Sequence, residues 1–215
     1  MINQSLSFLI KCSQTGQVWL FNCPEGCQHI LNQKRIKIHQ IRHIILTNLE
    51  IDNLAGIIGL LSSLSLSCRV KTINIYGPPG LLHYLHFARK YSQTTFKYKL
   101  IIHIINHEYI DTSLSYLLYS QPVDNHKHSL LYIFLEKEKI GRFQIRKAQI
   151  YGIQPGPFYG FLKIQKKYLL PDGNIVSGKH FTHKHAKGLK LLYVPGEYTY
   201  RLPFELTSDF THIVQ

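Results

Sequence analysis

Three times within the first 91 residues a short apolar run gives way to a turn and then to a helix-length segment, and this alternation constrains the fold more than any other feature. Gln17–Asn22 (QVWLFN) reads as a buried strand ending at the turn Cys23-Pro24-Glu25-Gly26, with Cys27–Gln33 as a short helix. His43–Thr47 is a second strand, followed by an irregular turn over Asn48–Ile51, where Asp52 or Asn53 is placed to N-cap an apolar helix over Leu54–Leu64. Thr72–Tyr76 is a third strand, closed by Gly77-Pro78-Pro79-Gly80, with Pro79 in the first turn of a helix over Leu81–Tyr91. Strands at Lys97–Ile105 and Leu130–Leu135, a helix at Phe143–Tyr151 and strands at Leu189–Val194 and Thr211–Val214 complete an α/β domain. Trp19 and Phe21, on an apolar strand, are expected in its core.

The 215 residues suit one domain, and 45% hydrophobic with 17% charged residues excludes a disordered chain. No apolar run reaches the roughly 18 residues needed to span a bilayer, since Ile57–Leu66 and Leu100–Ile105 are both interrupted, so a membrane-spanning protein is excluded and an anionic membrane surface stays only a second candidate for the basic charge, with no membrane partner expected. The first ten residues lack a basic region, a small-residue cleavage site or the Arg-rich character of an import peptide. Cys12, Cys23, Cys27 and Cys68 are too few and too irregular for a disulfide scaffold, and Cys23-x-x-x-Cys27 has no second pair to complete a metal site, so free thiols are expected. Ile outnumbers Ala by 26 to 4, the bias of an AT-rich genome, which points to a plastid-encoded protein and otherwise to the cytoplasm.

Charge speaks to partners. Lys and Arg outnumber Asp and Glu by 25 to 12, a formal +13, and nucleic acid is the first candidate because cations release counterions condensed on phosphates. From Gln154 to Gly188 the chain turns rich in Gly, Pro, Lys and His, and from Lys163 to Lys190 seven Lys face one acid, Asp172. Pro155, Gly156, Pro157 and Gly160 predict an extended, turn-rich path, with Phe158, Tyr159 and Phe161 as aromatic surface. Lys163, Lys166, Lys167, Lys179, Lys184, Lys187 and Lys190 would then supply phosphate contacts, unless the segment is merely a solvated loop. His180, His183 and His185 fit no tetrahedral spacing and read as exposed basic loop, as do His126 and His128.

Ligands of α/β proteins gather beyond the carboxyl ends of strands. The turn from Thr47 to Gly56 lies at such a place, with Asn48, Glu50, Asp52 and Asn53 spaced either as a ligand cluster or as a capped helix start. The surrounding strings bear a resemblance. Phe21-Asn22-Cys23-Pro24-Glu25-Gly26-Cys27-Gln28 is similar to the FDCGEGTQ segment of ribonuclease Z, the tRNA 3′-processing endonuclease family of the metallo-β-lactamase superfamily. Thr47 to Gly56 matches the position of its THLHGDHxxG zinc motif, and Ile75–Leu81 resembles its IYGPPGL. Pro155–Lys163, followed by Pro171-Asp172-Gly173, resembles its GPLYGKLK and DG segments. The resemblance spans nearly the whole chain and implies a metallo-β-lactamase-type αββα sandwich, here a single domain over 1–215, incomplete at the C-terminal side, with a tRNA-gripping exosite arm at about 154–188.

The departures bear on activity. Where the resemblance places the His, His, Asp and His zinc ligands, the chain has Asn48, Glu50, Asp52 and Asn53; a further His ligand position matches Asn125, and the bridging Asp falls at Glu197. The later HEATF-type and final His motifs would lie beyond Gln215, and the opening strand is expected to be missing or very short. A neutral amide is a poor zinc ligand, so this ligand set is degenerate, Asp52 is a vestige of the catalytic carboxylate, and no bound cofactor is expected. The leading expectation is a catalytically inactive homologue that still binds tRNA or precursor tRNA through Phe158, Tyr159 and the lysines of the arm. The alternative is an active tRNA 3′ endonuclease holding Mg²⁺ or Mn²⁺ on Glu50, Asp52 and Glu197, or completed by a partner subunit in a dimer like the family's homodimers. A third reading is a decaying gene with a scarce product.

Overall fold

The computed structural model describes residues 7–12, 15–113, 115–123, 128–169 and 173–194, and the backbone of 212–214. The chain runs through β1 (Phe8–Lys11), β2 (Val18–Phe21), α1 (Cys27–Gln33), β3 (Ile41–Ile45), α2 (Ile51–Leu54), α3 (Ile57–Leu66), β4 (Ile73–Gly77), α4 (Leu81–Ser92) and β5 (Leu100–Ile104). It continues with β6 (Tyr109–Thr112), β7 (Tyr116–Pro122), β8 (Leu130–Glu136), α5 (Ile145–Ile150), α6 (Phe158–Lys163), β9 (Lys167–Leu169), β10 (Ile175–Ser177), β11 (Lys190–Tyr193) and β12 (His212–Val214). Two compact units result: residues 1–135 with 190–215, and residues 136–189.

The first unit holds two five-stranded sheets, ordered β1-β2-β3-β4-β5 and β12-β11-β8-β7-β6. In the first sheet β2, β3, β4 and β5 pair in parallel, and β1 closes the edge antiparallel to β2. Parallel strands need covered crossovers, which explains why VWLF of β2 is buried at every position. One face of this sheet packs Val18, Leu20, Ile44, Ile73 and Ile75 against Leu31, Leu60, Leu61, Leu64, Leu81 and Leu85 of the helices. The other face carries the rings. Trp19 meets Tyr116 edge-on at 4.5 Å and Phe134 at 5.1 Å, and Phe21 meets Tyr132 at 6.1 Å, so the two sheets face each other across an aromatic layer.

The second unit is built on its own small core of Ala148, Ile153, Leu162 and Phe181. Around it stand α5, α6, the antiparallel pair β9–β10 and a 3-10 turn over Gly178–Phe181. Among the described residues no helix is long and apolar enough to cross a membrane.

Several local expectations need correction. The helix expected over Leu54–Leu64 is two pieces, α2 and α3, broken at Ala55-Gly56. Pro79 lies outside α4, whose N-cap is Gly80 at φ 97°, a left-handed conformation that suits glycine. The opening strand, expected to be missing or very short, is the four-residue β1 and needs no correction. Residues 154–188 are not an extended path: Phe158–Lys163 is helical, because Pro157 at φ −54° starts the turn that α6 continues. The pair β6–β7 was not foreseen, since its alternating burial follows the half-solvated pattern of an antiparallel hairpin rather than an apolar run.

Candidate functional site

The turn after β3 is pinned before it begins. Tyr76 and Ile45 carbonyls accept from Leu46 and Asn22 N–H groups at 2.8 Å each, continuing the ladder past the strand end. Asn22, fully buried, accepts from both the backbone N–H and the hydroxyl of Thr47 at 3.0 Å. Thr47 in turn accepts from Leu130 N–H at 2.9 Å, and the Tyr132 hydroxyl donates to Leu46 at 2.9 Å.

Beyond that anchor the amide of Asn48 organises the turn. Its Oδ1 accepts from Glu50 N–H at 3.3 Å and from the Nδ2 of Asn53. The backbone of Asn53 donates to the Glu50 carbonyl at 3.0 Å and accepts from Cys23 N–H at 2.7 Å, while Gly56 N–H donates to the Cys23 carbonyl at 2.9 Å. The turn is thereby stitched to the segment that follows β2. Neither α2 nor α3 has a side-chain N-cap, so the expected capping by Asp52 or Asn53 is replaced by the Asn48–Asn53 pair. Asp52 and Glu50 are exposed, Asn48 is half-buried and Asn53 is buried.

Gly56 is the fixed point of this stitch. A Cβ there would overlap the Pro24 carbonyl oxygen and crowd the Cys23 carbonyl at 3.1 Å, both backbone groups that have no rotamer to relax into. Gly56→Ala is therefore expected to destabilise the first unit by about 1–3 kcal/mol or more, with the denaturant midpoint as the measurement. Gly160→Ala, where a Cβ meets nothing within 4 Å, serves as the mild control.

The donor set of the turn does not fit a zinc centre. An amide nitrogen has no lone pair to give, and the amide oxygen of Asn48, Oδ1, is already taken by two donors. Asn53 Oδ1 is buried without a hydrogen-bond partner among the described residues, a poor substitute for an imidazole nitrogen. Among the described residues no three His, Cys, Asp or Glu side chains gather where a metal ion could be held. Asn125, His126 and Glu197 lie outside the described residues.

Close by, Cys23 and Cys27 are buried free thiols that share a hydrogen bond. That bond and the dry surroundings push the Cys23 thiol far up, so it stays protonated.

A polar column, buried at Trp19, His43 and Tyr76 and half-buried at Asn74, His103, Tyr109 and Asp111, is a feature that residue-by-residue reading of the sequence missed. Trp19 stacks on His43 at 3.7 Å, and Tyr76 stacks on His103 at 4.5 Å. The Tyr76 hydroxyl donates to Asp111 at 2.6 Å, and His103 lies 3.2 Å from both Asn74 Oδ1 and the Tyr109 hydroxyl. The available signal was positional: Trp19 pairs with His43, His43 with Asn74, and Tyr76 with His103 across neighbouring strands. Burial, aided by Arg42 and His103, lowers the His43 pKa from 6.5 to about 3. Between those values the unfolded chain takes up a proton that the folded chain refuses, so stability is full above pH 6.5 and declines as the pH falls toward 3. Denaturation midpoints measured at pH 7 and pH 4.5 are expected to differ in that sense, and a His43→Phe variant is expected to flatten part of the difference.

In the second unit Lys163, Lys166, Lys167, Lys179, Lys184 and Lys187 are all exposed. The expectation that Phe158 and Tyr159 form an open aromatic surface is corrected. Both are half-buried against the core of the unit, with Tyr159 4.8 Å from the Phe143 ring and donating its hydroxyl to Ile153 at 2.7 Å, and Phe158 5.2 Å from Tyr168. Phe161 is 53% exposed. Nor is His185 free loop: its Nδ1 lies 3.8 Å from Glu138, while the exposed His183 ring lies 3.1 Å from Gln144.

Two facing sheets, with helices over the outer face of the parallel one and a ligand turn at the end of its second parallel strand, define a metallo-β-lactamase fold. The short form of human tRNase Z superposes with a TM-score of 0.56 at 23% identity, over 63% of this chain and 60% of that one. Zn²⁺-bound PqqB from Methylobacterium extorquens superposes at 0.51 and 12% identity, over 96% and 58%. In sequence the chain is 36% identical to the uncharacterized protein ycf56 of Porphyra purpurea over 87% of this chain and 71% of that one, and 38% identical to ycf56 of Pyropia yezoensis over 86% and 70%. It is 35% identical to the ribonuclease Z of Acaryochloris marina, again over 87% of this chain. The chain thus belongs to the ribonuclease Z-like family of metallo-β-lactamase-fold proteins. It spans 60% of the length of that ribonuclease Z. No protein-family model matches it.

Proposed function

We propose that this chain is a tRNA-binding, ribonuclease Z-like protein of the plastid in which the hydrolytic centre has been dismantled. The observation that carries the reading is the Asn48–Asn53 amide pair, in which the Asn53 Nδ2 donates to Asn48 Oδ1 where zinc would need imidazoles. Zinc held by a complete ligand set lowers the pKa of bound water enough to make a nucleophile at neutral pH. Asp52 and Glu50 are exposed, and among the described residues they join no group of three His, Cys, Asp or Glu side chains that would hold such an ion. The lysines of the second unit remain available to phosphates and are the surface for tRNA. Phe158 and Tyr159 support that surface from beneath by holding α6 in place. The names of the red-algal relatives and the Ile-rich composition support the plastid assignment.

A gel shift against mature and 3′-extended precursor tRNA, read together with cleavage of the precursor, tests this. Binding of both RNAs without cleavage is expected, including with added Mn²⁺. Cleavage that appears with Mn²⁺ would establish the divalent-metal endonuclease instead, with Glu50 and Asp52 as the groups to substitute next.

A further inference from the structure

We infer that α4 presents a second RNA-binding surface, a stacking platform for single-stranded RNA separate from the lysine arm. The inference rests on the reading that RNA is the partner, and adds a site to it. The helix buries Leu81 and Leu85 and turns His83, His86, Phe87, Arg89, Lys90 and Tyr91 outward. Phe87 is 50% exposed and Tyr91 78% exposed, one helical turn apart, with ring centroids 6.4 Å apart and planes within 22° of each other. The His86 ring meets Phe87 edge-on at 5.5 Å, so the aromatic strip continues toward the start of the helix.

The bland explanation covers only part of this. Arg89 and Lys90 in the last turn complement the helix dipole, but the dipole gives no reason for two aromatic rings to lie side by side in water. Charge narrows the occupant. Between Asp52 and Glu108 the chain has no Asp or Glu at all, so α4 and the segments next to it in sequence bring cations without carboxylates of their own. Arg69 is consumed inside, donating to the carbonyls of His39, Ile41, Lys71 and Thr72, whereas Arg89, Lys90, Lys97 and Lys99 are exposed. Aromatic faces beside exposed cations are the combination that binds single strands, with bases stacking on rings and phosphates meeting the charges. A lipid surface asks for a continuous apolar face, and here His83 and His86 interrupt it.

The test uses the full-length chain and a fluorescein-labelled oligouridylate, with tRNA and phosphatidylcholine–phosphatidylserine vesicles as parallel probes. Phe87→Ala with Tyr91→Ala is expected to weaken oligouridylate binding roughly tenfold or more, with the circular dichroism melt unchanged because both rings are exposed. Arg89→Gln with Lys90→Gln is expected to reduce the log–log salt slope by about 1.4, two contacts at ~0.7 each. Photocrosslinking of a thiouridine-substituted strand should map to the α4 peptide, and should persist when Lys163, Lys166 and Lys167 are replaced by Gln. Oligouridylate affinity unaltered by the aromatic double variant, with tRNA binding intact and sensitive to the arm lysines, would overturn the platform and leave the proposed function standing. Vesicle binding without oligouridylate binding would overturn it in favour of a membrane face. Failure to bind any RNA would overturn both readings.

Discussion

Trp19→Ala is expected to cost about 3–5 kcal/mol of folding stability, read as a large fall in denaturant midpoint. The indole is fully buried at the centre of the layer between the sheets, stacked on His43 with an interplanar angle of 7° and met edge-on by Tyr116 and Phe134. Removing it opens a cavity bounded by rings on both sheets, and rings on rigid strands collapse poorly into the space left. Since domains are stable by about 5–15 kcal/mol, this single change threatens the first unit as a whole. Trp19→Phe separates packing from polarity. The indole Nε1 is buried without a hydrogen-bond partner among the described residues, so phenylalanine keeps most of the ring contact and sheds an unpaired donor. Its expected loss is well under half that of the alanine variant, and equal losses would show that the edge-on contacts are not what holds the sheets together.

The second large effect concerns RNA. Replacing Lys163, Lys166 and Lys167 together by Gln is expected to weaken tRNA binding by roughly a hundredfold at physiological salt. The estimate rests on counterion release: each neutralised phosphate contributes about 0.7–0.9 to the log–log salt slope, so each contact is worth roughly fivefold near 0.15 M. All three side chains are exposed on α6, on β9 and in the turn between them, and the core of the unit is made by other residues, so the fold should tolerate the change. The decisive readout is the slope, which should fall by two or more. A weakened affinity at unchanged slope would mean that the lysines shape the unit rather than meet phosphates.

The alternation of strands and helices was legible because parallel strands covered on both faces are mostly apolar, and VWLF of β2 states that plainly, with Arg42, His43 and Asn74 the polar exceptions in β3 and β4. The candidate turn was legible by position and by residue type, since amide and carboxylate groups at Asn48, Glu50, Asp52 and Asn53 can be compared with metal chemistry directly. What escaped was geometry that depends on a distant backbone. The break between α2 and α3 falls at Gly56, where the Pro24 carbonyl, more than thirty positions away in sequence, leaves no room for a Cβ. Phe158 and Tyr159 looked like free aromatic surface in a Gly- and Pro-rich string, yet a four-residue core of Ala148, Ile153, Leu162 and Phe181 draws both inward. The platform on α4 escaped for the opposite reason: an aromatic at helical spacing reads as core until the fold shows which face meets water.

The measurement that bears most directly on the proposed loss of the zinc centre is zinc content of the purified chain after dialysis against trace zinc, taken on the same sample used for cleavage of a 3′-extended precursor tRNA. Protein carrying no stoichiometric zinc and leaving the precursor intact is the expected result. Protein that retains a binuclear complement and trims the precursor at its discriminator end would contradict the account, because it would mean the Asn48–Asn53 pair opens to admit ions that its chemistry argues against.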